Sequence, residues 1–215
     1  MSIPMNSSTI KIRLALILTF CTLLQLPLNA GAKFHVAVGL SYTSGADDVL
    51  DAIEERYIME LGVPLDNDFV WPVSLSVNPY VEFDFGLGIG GGIGPASFVI
   101  IEERFFGGGG FFTEDVIFNV IVPMGLDARY TFFREGTVSP YVRAGFRYPL
   151  VSGDFLDNPQ IGPFGAIGVE IWRNKAVGLG VEVAYDGSEI DVVGTSGYRK
   201  TLKPNEFLIS IFAVF

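Results

Sequence analysis

Long apolar runs, cysteine and histidine are all scarce in this 215-residue sequence. The body of the chain has no uninterrupted apolar run of about 18 residues, so it offers no transmembrane helix. The single cysteine, Cys21, lies near the N-terminus, which leaves the rest of the chain without a disulfide framework or a thiol nucleophile. With one histidine, His35, only carboxylates remain as metal ligands, and no EF-hand spacing occurs. We therefore expect no metal and no other cofactor.

Positive charge is also in short supply. The sequence has 24 acidic residues against 14 lysines and arginines, which gives a net charge of −10. Residues 1–32 contain two of the basic residues and none of the acidic ones, so the remainder carries 24 against 12, or −12. This balance argues against nucleic acid and anionic lipid surfaces as direct partners.

Residues 1–32 have the pattern of a secretory signal peptide. A basic segment with Lys11 and Arg13 precedes an apolar segment from Leu14 to Leu24, and Ala30-Gly31-Ala32 matches an A-x-A cleavage site. A permanent membrane anchor is less favoured because the apolar stretch is short. We expect cleavage after residue 32, so that residues 33–215 form a single domain.

Strict alternation replaces the missing apolar runs, although the chain is 49% hydrophobic. In the first such segment, every second residue from Phe34 to Tyr42 is apolar, and His35 begins the opposite set. Similar segments recur to the end of the chain and are separated by alternately long and short connections. We predict an all-β fold, a transmembrane antiparallel up-and-down β-barrel of eight strands. Ten strands are the alternative, if residues 97–106 form a separate strand and another is split at Pro123-Met124-Gly125.

Two segments interrupt the alternation. Residues 46–61 place apolar side chains at helical spacing behind an acidic start, which predicts a short acidic helix in the first extracellular loop. Residues 97–113 are rich in phenylalanine and predict a hairpin that extends strands three and four beyond the membrane. Both segments are candidates for an interaction surface, and the alternative is that they pack on each other as a lid.

The placement of cations and glycines favours a membrane barrel over a soluble one. Arginines rather than lysines occur within the strands, and the polar face is crowded with glycine, which suits the interior wall of a narrow barrel. After residue 32, the lysines lie at the terminus or in connections: Lys33, Lys175, Lys200 and Lys203.

Aromatic residues are expected to form two girdles at the lipid interfaces. One predicted girdle consists of Phe34, Tyr80, Phe132, Phe133, Trp172 and Phe215. The other consists of Tyr42, Trp71, Tyr148, Phe164, Tyr185 and Phe207.

The last strand carries the most specific signal. Its alternating apolar residues are Phe207, Ile209, Ile211, Ala213 and Phe215. With this strand, the Gly-rich alternating segments and the stretch from Ser139 to Gly145, the sequence resembles the outer-membrane β-barrel proteins of the OmpA/OmpX type. The resemblance implies a Gram-negative outer-membrane location, and it implies that the last strand is the signal read by the barrel-assembly machinery.

Charged residues on the polar faces predict an ionic network inside the barrel. The predicted members are Glu82, Asp84, Asp127, Arg129, Arg143, Arg147, Glu170 and Glu182. Charges removed from bulk water must pair or form hydrogen bonds. A salt-bridge plug is favoured over a proton or ion path because an eight-stranded barrel is narrow.

We therefore expect a small, monomeric, non-enzymatic outer-membrane protein with a structural or surface-interaction role. Its expected partners are outer-membrane lipid and the barrel-assembly machinery. The first alternative is a transporter that passes small hydrophobic molecules through a lateral opening. The second is a lipid A-modifying enzyme, for which His35 is the one candidate base; no serine partner follows from spacing.

Overall fold

The computed structural model describes residues 32–61, 67–71, 73–106, 112–173 and 175–215. The predicted signal peptide, except for its last residue, lies outside this range, as does the middle of the predicted hairpin at 107–111. The elements are β1 (Lys33–Thr43), α1 (Ala46–Leu61), β2 (Asn67–Trp71), β3 (Val73–Glu82), β4 (Leu87–Ile93), β5 (Ser97–Phe106), β6 (Phe112–Thr131), β7 (Val138–Ser152), β8 (Leu156–Gln160), β9 (Gly162–Ile171), β10 (Gly178–Asp186), β11 (Glu189–Val193), β12 (Arg199–Leu202) and β13 (Phe207–Val214).

Eight of these strands form a closed antiparallel barrel in the order β1, β3, β4, β6, β7, β9, β10 and β13. The last strand returns to the first through pairs such as Leu40–Ile211, so the barrel has no free edge. The eight-strand prediction is confirmed and the ten-strand alternative is wrong. Strand β6 runs through Pro123 without a break, and β5 belongs to an extension above the barrel. No helix in the described ranges is long and apolar enough to cross a bilayer.

The two ends of the barrel differ in their connections. At one end, which we call the short-turn end, strands are joined by the turns at 83–86 and 132–137 and by the short connection between β9 and β10. The opposite end, which we call the cap end, carries α1, the small sheet of β8, β11 and β12, and an extension in which β5 pairs with β2 and β6. The predicted helix at 46–61 is therefore present at this end, and β5 and β6 pair there as the two arms of the predicted hairpin.

The outer wall of the barrel is apolar and the interior is polar. Leu40, Leu75, Ile167 and Ile211 expose 58–66% of their surface. In contrast, Glu82 and Glu170 on the opposite face are at most 1% exposed. This distribution is the reverse of that in a soluble barrel, in which large apolar side chains fill the core and charges face water. Alternation along each strand produces both faces at once.

A separate hydrophobic core holds the cap end together. Val49, Ile53 and Tyr57 on one face of α1 pack with Phe155, Ile190 and other buried residues of the neighbouring strands. Ile58 and Met59, on the opposite face of the helix, are exposed. The helix thus forms part of a packed cap, as amphipathic helices do when one stripe is apolar.

Within the described residues, the ladder between β3 and the β4–β5 segment is interrupted. The ladder is regular at Val77–Ile93 and again at Trp71–Phe98. Among the described residues, positions 73–76 pair with β1 but form no ladder pair with 94–96. Instead, the backbone of Gly94 lies against the carbonyl oxygen of Leu75, and the Gly94 amide bonds to Pro123 O at 2.8 Å. The wall is closed there by packing rather than by hydrogen bonds.

Candidate functional site

The charged residues of the barrel interior form two clusters. The first lies near the short-turn end, around Glu82 and Glu170. Arg129 Nη2 lies 2.7 Å from Glu170 Oε1, and Arg173 Nε lies 3.0 Å from Glu170 Oε2. Arg173 also contacts Glu82, and Arg134 Nε lies 3.4 Å from Glu82 Oε1. Each buried carboxylate therefore faces two guanidinium groups, which is the arrangement that offsets the cost of removing charge from water.

Neutral hydroxyl groups complete this first cluster. The Thr131 hydroxyl donates to Glu82 at 2.9 Å and accepts a hydrogen bond from Arg129 Nε at 3.1 Å. Tyr80 donates to Glu170 at 3.2 Å. These contacts satisfy further lone pairs of the carboxylates, as a buried ionic group requires.

The second cluster lies further along the barrel axis and is centred on Arg143. Its guanidinium binds Asp127 through Nε at 3.0 Å and Nη2 at 2.7 Å, while Nη1 contacts both oxygens of Glu182 at 2.9 and 3.0 Å. Arg147 adds a second cation 3.2 Å from Asp127, and Tyr141 donates to Glu182 at 2.7 Å. The fork of an arginine suits such two-point contacts better than the single ammonium of a lysine.

Aromatic rings fill the space between the charges. The Arg129 guanidinium carbon lies 3.6 Å from the centre of the Tyr141 ring and 4.6 Å from that of Tyr80. Arg147 lies over Phe164 in the same way, at 3.9 Å. A cavity of about 20 Å³ between the two clusters is lined by residues of both, and it has room for about one water molecule.

Glycines on the interior face make room for these large side chains. A Cβ atom added to Gly168 would lie 2.4 Å from the Tyr141 ring, and one added to Gly180 would lie 2.3 Å from the Phe212 ring. At Gly125 an added Cβ would lie 2.9 Å from Arg147. The glycine-rich polar face therefore has a packing function, in which small residues on one strand accommodate large ones on its neighbours.

Most of the residues predicted for the network meet in these clusters. Asp84 does not, because it lies in the turn at 83–86 with a side chain that is 66% exposed, 3.2 Å from Arg134. The sequence-based set also omitted Arg134 and Arg173, which lie in turns and reach back into the barrel.

Two of the aromatic residues predicted for the girdles lie elsewhere. Tyr80 and Phe164 were placed at the rims, but both are buried inside the barrel. Residues two positions apart in a strand point to the same face. Tyr80 therefore shares the interior face with Glu82, and Tyr141 shares it with Arg143, and this spacing is the sequence signal for their interior position. Phe133 is exposed at the short-turn end, as predicted.

His35 lies in the barrel interior beside Tyr80, with its ring stacked on the tyrosine at a centroid distance of 5.0 Å. Its Nε2 atom is buried without a hydrogen-bond partner among the described residues. Among all the residues that the structure describes, no group of three or more histidines, cysteines or carboxylates is placed so that it could hold a metal ion.

The outward face of β13 matches its predicted pattern. Phe207, Ile209, Ile211 and Phe215 are 53–65% exposed, and Ala213 lies on the same face. The backbone of Phe215 exchanges two hydrogen bonds with Val36 of β1, at 3.0 and 3.1 Å. The role of this strand in assembly stays a prediction.

Carboxylates of α1 fasten the helix to β12 and to the turn between β11 and β12. Glu60 accepts hydrogen bonds from the Ser196 amide at 2.7 Å and from the Ser196 hydroxyl at 2.8 Å, and it pairs with Arg56 at 2.9 Å. The bond from the Ser196 amide, together with these partners, lowers the pKa of Glu60 to about 2. Glu55 pairs with Lys200 at 2.8 Å, and this contact lowers the pKa of Glu55. The carboxylates of Glu60 and Glu55 therefore hold the acidic helix to the rest of the cap.

Solved structures show the same architecture. The outer membrane protein OprG from Pseudomonas aeruginosa is 11% identical, with a TM-score of 0.52 over 86% of this chain and 95% of that one. The chain has the fold of an eight-stranded outer-membrane β-barrel. AlkL, solved in DMPC lipid bilayers, is 16% identical with a TM-score of 0.48 over 87% and 90% of the two chains. Outer Membrane Protein W of E. coli is 13% identical with a TM-score of 0.46 over 87% and 98%. No protein-family model and no curated protein matches the sequence.

Proposed function

We propose that the chain is a monomeric, non-enzymatic protein of the bacterial outer membrane, with a structural or surface-interaction role and a lumen closed by its ionic network. The reversed burial of the barrel is the observation that carries this proposal. A large apolar side chain left in water forgoes about 1.5–3 kcal/mol, so a wall of exposed leucines and isoleucines needs lipid around it. In this arrangement residues 1–32 direct export, and β13 with its outward set from Phe207 to Phe215 is read by the barrel-assembly machinery.

The filled interior supports a closed lumen. The guanidinium groups of the two clusters lie in the barrel interior with the buried rings of Tyr80, Tyr141 and Phe212, and the cavity between the clusters is about the size of one water molecule. An eight-stranded barrel is just wide enough to be filled in this way by its own side chains. We therefore expect such a layer to block the passage of a hydrated ion or solute.

The cap supports a role at the cell surface. It has its own hydrophobic core, which loops that only connect strands do not need. Ile58 and Met59 remain exposed on the outer side of α1. We propose this side of the cap as the surface available to an external partner.

A paired substitution tests the membrane location. Ile167→Arg places a charge in the middle of the outer wall, where lipid makes it cost about 2–4 kcal/mol. Ile58→Arg places the same charge on the exposed side of the cap. We expect Ile167→Arg to reduce the heat-modifiable protein recovered from outer membranes and Ile58→Arg to leave it unchanged. Equal recovery of both variants, or recovery of the wild type in the soluble fraction, contradicts the proposal.

The interruption between β3 and β4–β5 favours a second candidate function. Four positions of β3, residues 73–76, lack ladder bonds to the β4–β5 segment among the described residues, although they lie in the barrel wall. A wall held there by packing opens at lower cost than one held by hydrogen bonds. The candidate function is the passage of small hydrophobic molecules between the cap end and the bilayer through this part of the wall.

A disulfide across the interruption tests that candidate. The chain after residue 32 has no cysteine, so Ser74→Cys with Ala96→Cys introduces a single crosslink. The control is Ser41→Cys with Ser74→Cys, because Ser41 and Ser74 are already paired in the ladder. If the candidate is right, oxidation abolishes uptake of an apolar dye into cells by the first variant and not by the control. Equal uptake by both oxidised variants contradicts it.

A further inference from the structure

An open depression lies at the short-turn end, between the turns at 83–86 and 132–137. It has a volume of about 620 Å³, and its lining residues include Phe85, Tyr130, Phe132, Phe133 and Arg134. Strands β4 and β6 are neighbours in the barrel, with Leu87 opposite Tyr130, so the two turns stand side by side. The depression therefore begins on the outer wall and continues over the rim.

The apolar part of the depression is strongly exposed. Phe133 is 78% exposed and Phe85 is 66% exposed, while Tyr130 and Phe132 continue the aromatic surface down the wall with an edge-on contact at 4.9 Å. Phe133 has a φ of 49°, in the left-handed region that a bulky residue rarely adopts. The Phe133 carbonyl accepts hydrogen bonds from the Gly136 amide at 2.8 Å and from the Ser139 hydroxyl at 3.0 Å, so the turn itself holds this conformation and keeps the ring exposed.

The polar part of the depression carries both signs of charge. Arg134 forms ion pairs with both the buried Glu82 and Asp84, and its side chain is 18% exposed. Asp84 keeps 66% of its side chain exposed despite this contact, and Glu135 is exposed on the other turn. Two exposed carboxylates beside one partly engaged guanidinium favour a ligand that has an ammonium group as well as an anionic group.

We propose that this depression binds the headgroup of a phospholipid with a primary ammonium, such as phosphatidylethanolamine. The ammonium bonds to Asp84 and Glu135, the phosphate lies near Arg134, and the glycerol and first methylenes lie on the rings of Phe85 and Phe132. Girdle aromatics stand at the level of the lipid headgroups, which places the depression at the right depth. A choline headgroup lacks N–H donors, and an anionic headgroup meets the two carboxylates. This inference rests on the proposed membrane location.

Lipid retention in nanodiscs tests the site. The full-length mature protein is reconstituted in nanodiscs containing equal amounts of phosphatidylethanolamine, phosphatidylcholine and phosphatidylglycerol, and the lipids that stay bound are identified by native mass spectrometry. We expect phosphatidylethanolamine to be enriched. Asp84→Asn is expected to lower the retention of phosphatidylethanolamine about two- to fivefold relative to the wild type, the factor expected from loss of one exposed ion pair. The separate variant Phe85→Ala is expected to lower this retention more than Asp84→Asn does.

Two control variants make the same kinds of change as Asp84→Asn and Phe85→Ala, but at the other end of the barrel. Asp154→Asn removes an exposed carboxylate at the cap end, and Tyr42→Ala removes an exposed outward aromatic near that end. Both are expected to retain phosphatidylethanolamine as the wild type does. Equal retention of the three lipids, a preference for phosphatidylglycerol, or equal effects of Asp84→Asn and Asp154→Asn overturns the inference. Failure of the wild type to enter nanodiscs contradicts the membrane location itself.

Discussion

The guanidinium of Arg143 holds the carboxylate of Asp127 through two parallel hydrogen bonds of 3.0 and 2.7 Å inside the barrel. The two residues come from adjacent strands, and the same guanidinium also holds Glu182 of β10. One side chain therefore joins three strands of the barrel. Among the described residues, its loss leaves Arg147 as the side-chain partner of Asp127 and Tyr141 as that of Glu182.

Arg143→Met is expected to lower the free energy of unfolding by about 3–5 kcal/mol, because it leaves buried carboxylates short of their cation. Urea titration in detergent micelles, followed by heat-modifiable gel mobility, measures this change. The control is Lys200→Met, which removes a cation that is 42% exposed and paired at 2.8 Å with Glu55, itself 49% exposed. An exposed pair of this kind contributes little to stability, because water screens it. Similar losses in the free energy of unfolding from the two variants would show that the interior ion pairs contribute no more to stability than an exposed one.

Gly168→Ala is expected to destabilise the barrel by about 1–3 kcal/mol, the usual cost of overpacking. The added methyl group would lie 2.4 Å from the Tyr141 ring, which is fixed by its hydrogen bond to Glu182. Gly165→Ala, on the same strand, is the matched control, since an added Cβ there meets no atom within 4 Å. Folding yield and the urea midpoint in micelles separate the two. A neutral Gly168→Ala would contradict the packing role of the glycine face.

Ile53→Ala is expected to loosen the cap without unfolding the barrel. Ile53 is fully buried in the cap core, and truncation of such a side chain costs about 2–5 kcal/mol. Faster proteolysis of α1, with retained heat-modifiable mobility, is the expected result. Ile58→Ala on the exposed side of the same helix is expected to change neither. Loss of the barrel band in Ile53→Ala would mean that cap and barrel fold as one unit.

Glu60 makes the attachment of α1 to the β11–β12 turn, within the cap, dependent on pH. Its pKa in the folded protein is lowered to about 2, so its carboxylate stabilises the cap fully above its ordinary pKa near 4.5. This contribution is lost as the pH falls from there towards 2. The protection of the amides at the β11–β12 turn, meaning their exchange rate relative to the intrinsic rate at each pH, is expected to fall over that interval in the wild type. Glu60→Gln removes this pH-dependent loss of protection, and Glu54→Gln on the same helix keeps it. An identical pH profile for Glu60→Gln and the wild type would exclude Glu60 as the cause.

The barrel could be predicted from the sequence because alternation is a local signal. Each strand carries its own two-residue period, so the outward set of β13 and the inward position of Arg143 follow without knowledge of their neighbours. The helix at 46–61 followed in the same way from its 3.6-residue spacing. The strand count came from the number of such segments.

The features that the sequence did not predict depend on contacts between distant segments. The small sheet pairs β8, from the connection between β7 and β9, with β11 and β12, from the connection between β10 and β13. Neither connection has a hydrophobic period that predicts this pairing. Arg134 and Arg173 lie in turns, where no face can be assigned, yet their long side chains reach Glu82. Asp84 was assigned to the interior by parity, but the strand ends at Glu82 and the turn carries Asp84 outside.

Single-channel recording in planar bilayers tests the central claim most directly. The wild-type protein, folded and inserted as shown by its heat-modifiable mobility, is recorded in concentrated potassium chloride. A lumen closed by Arg129, Arg143 and their carboxylate partners predicts a silent bilayer at all voltages that the membrane withstands. Stable conductance steps in the nanosiemens range from the wild type would contradict the closed lumen.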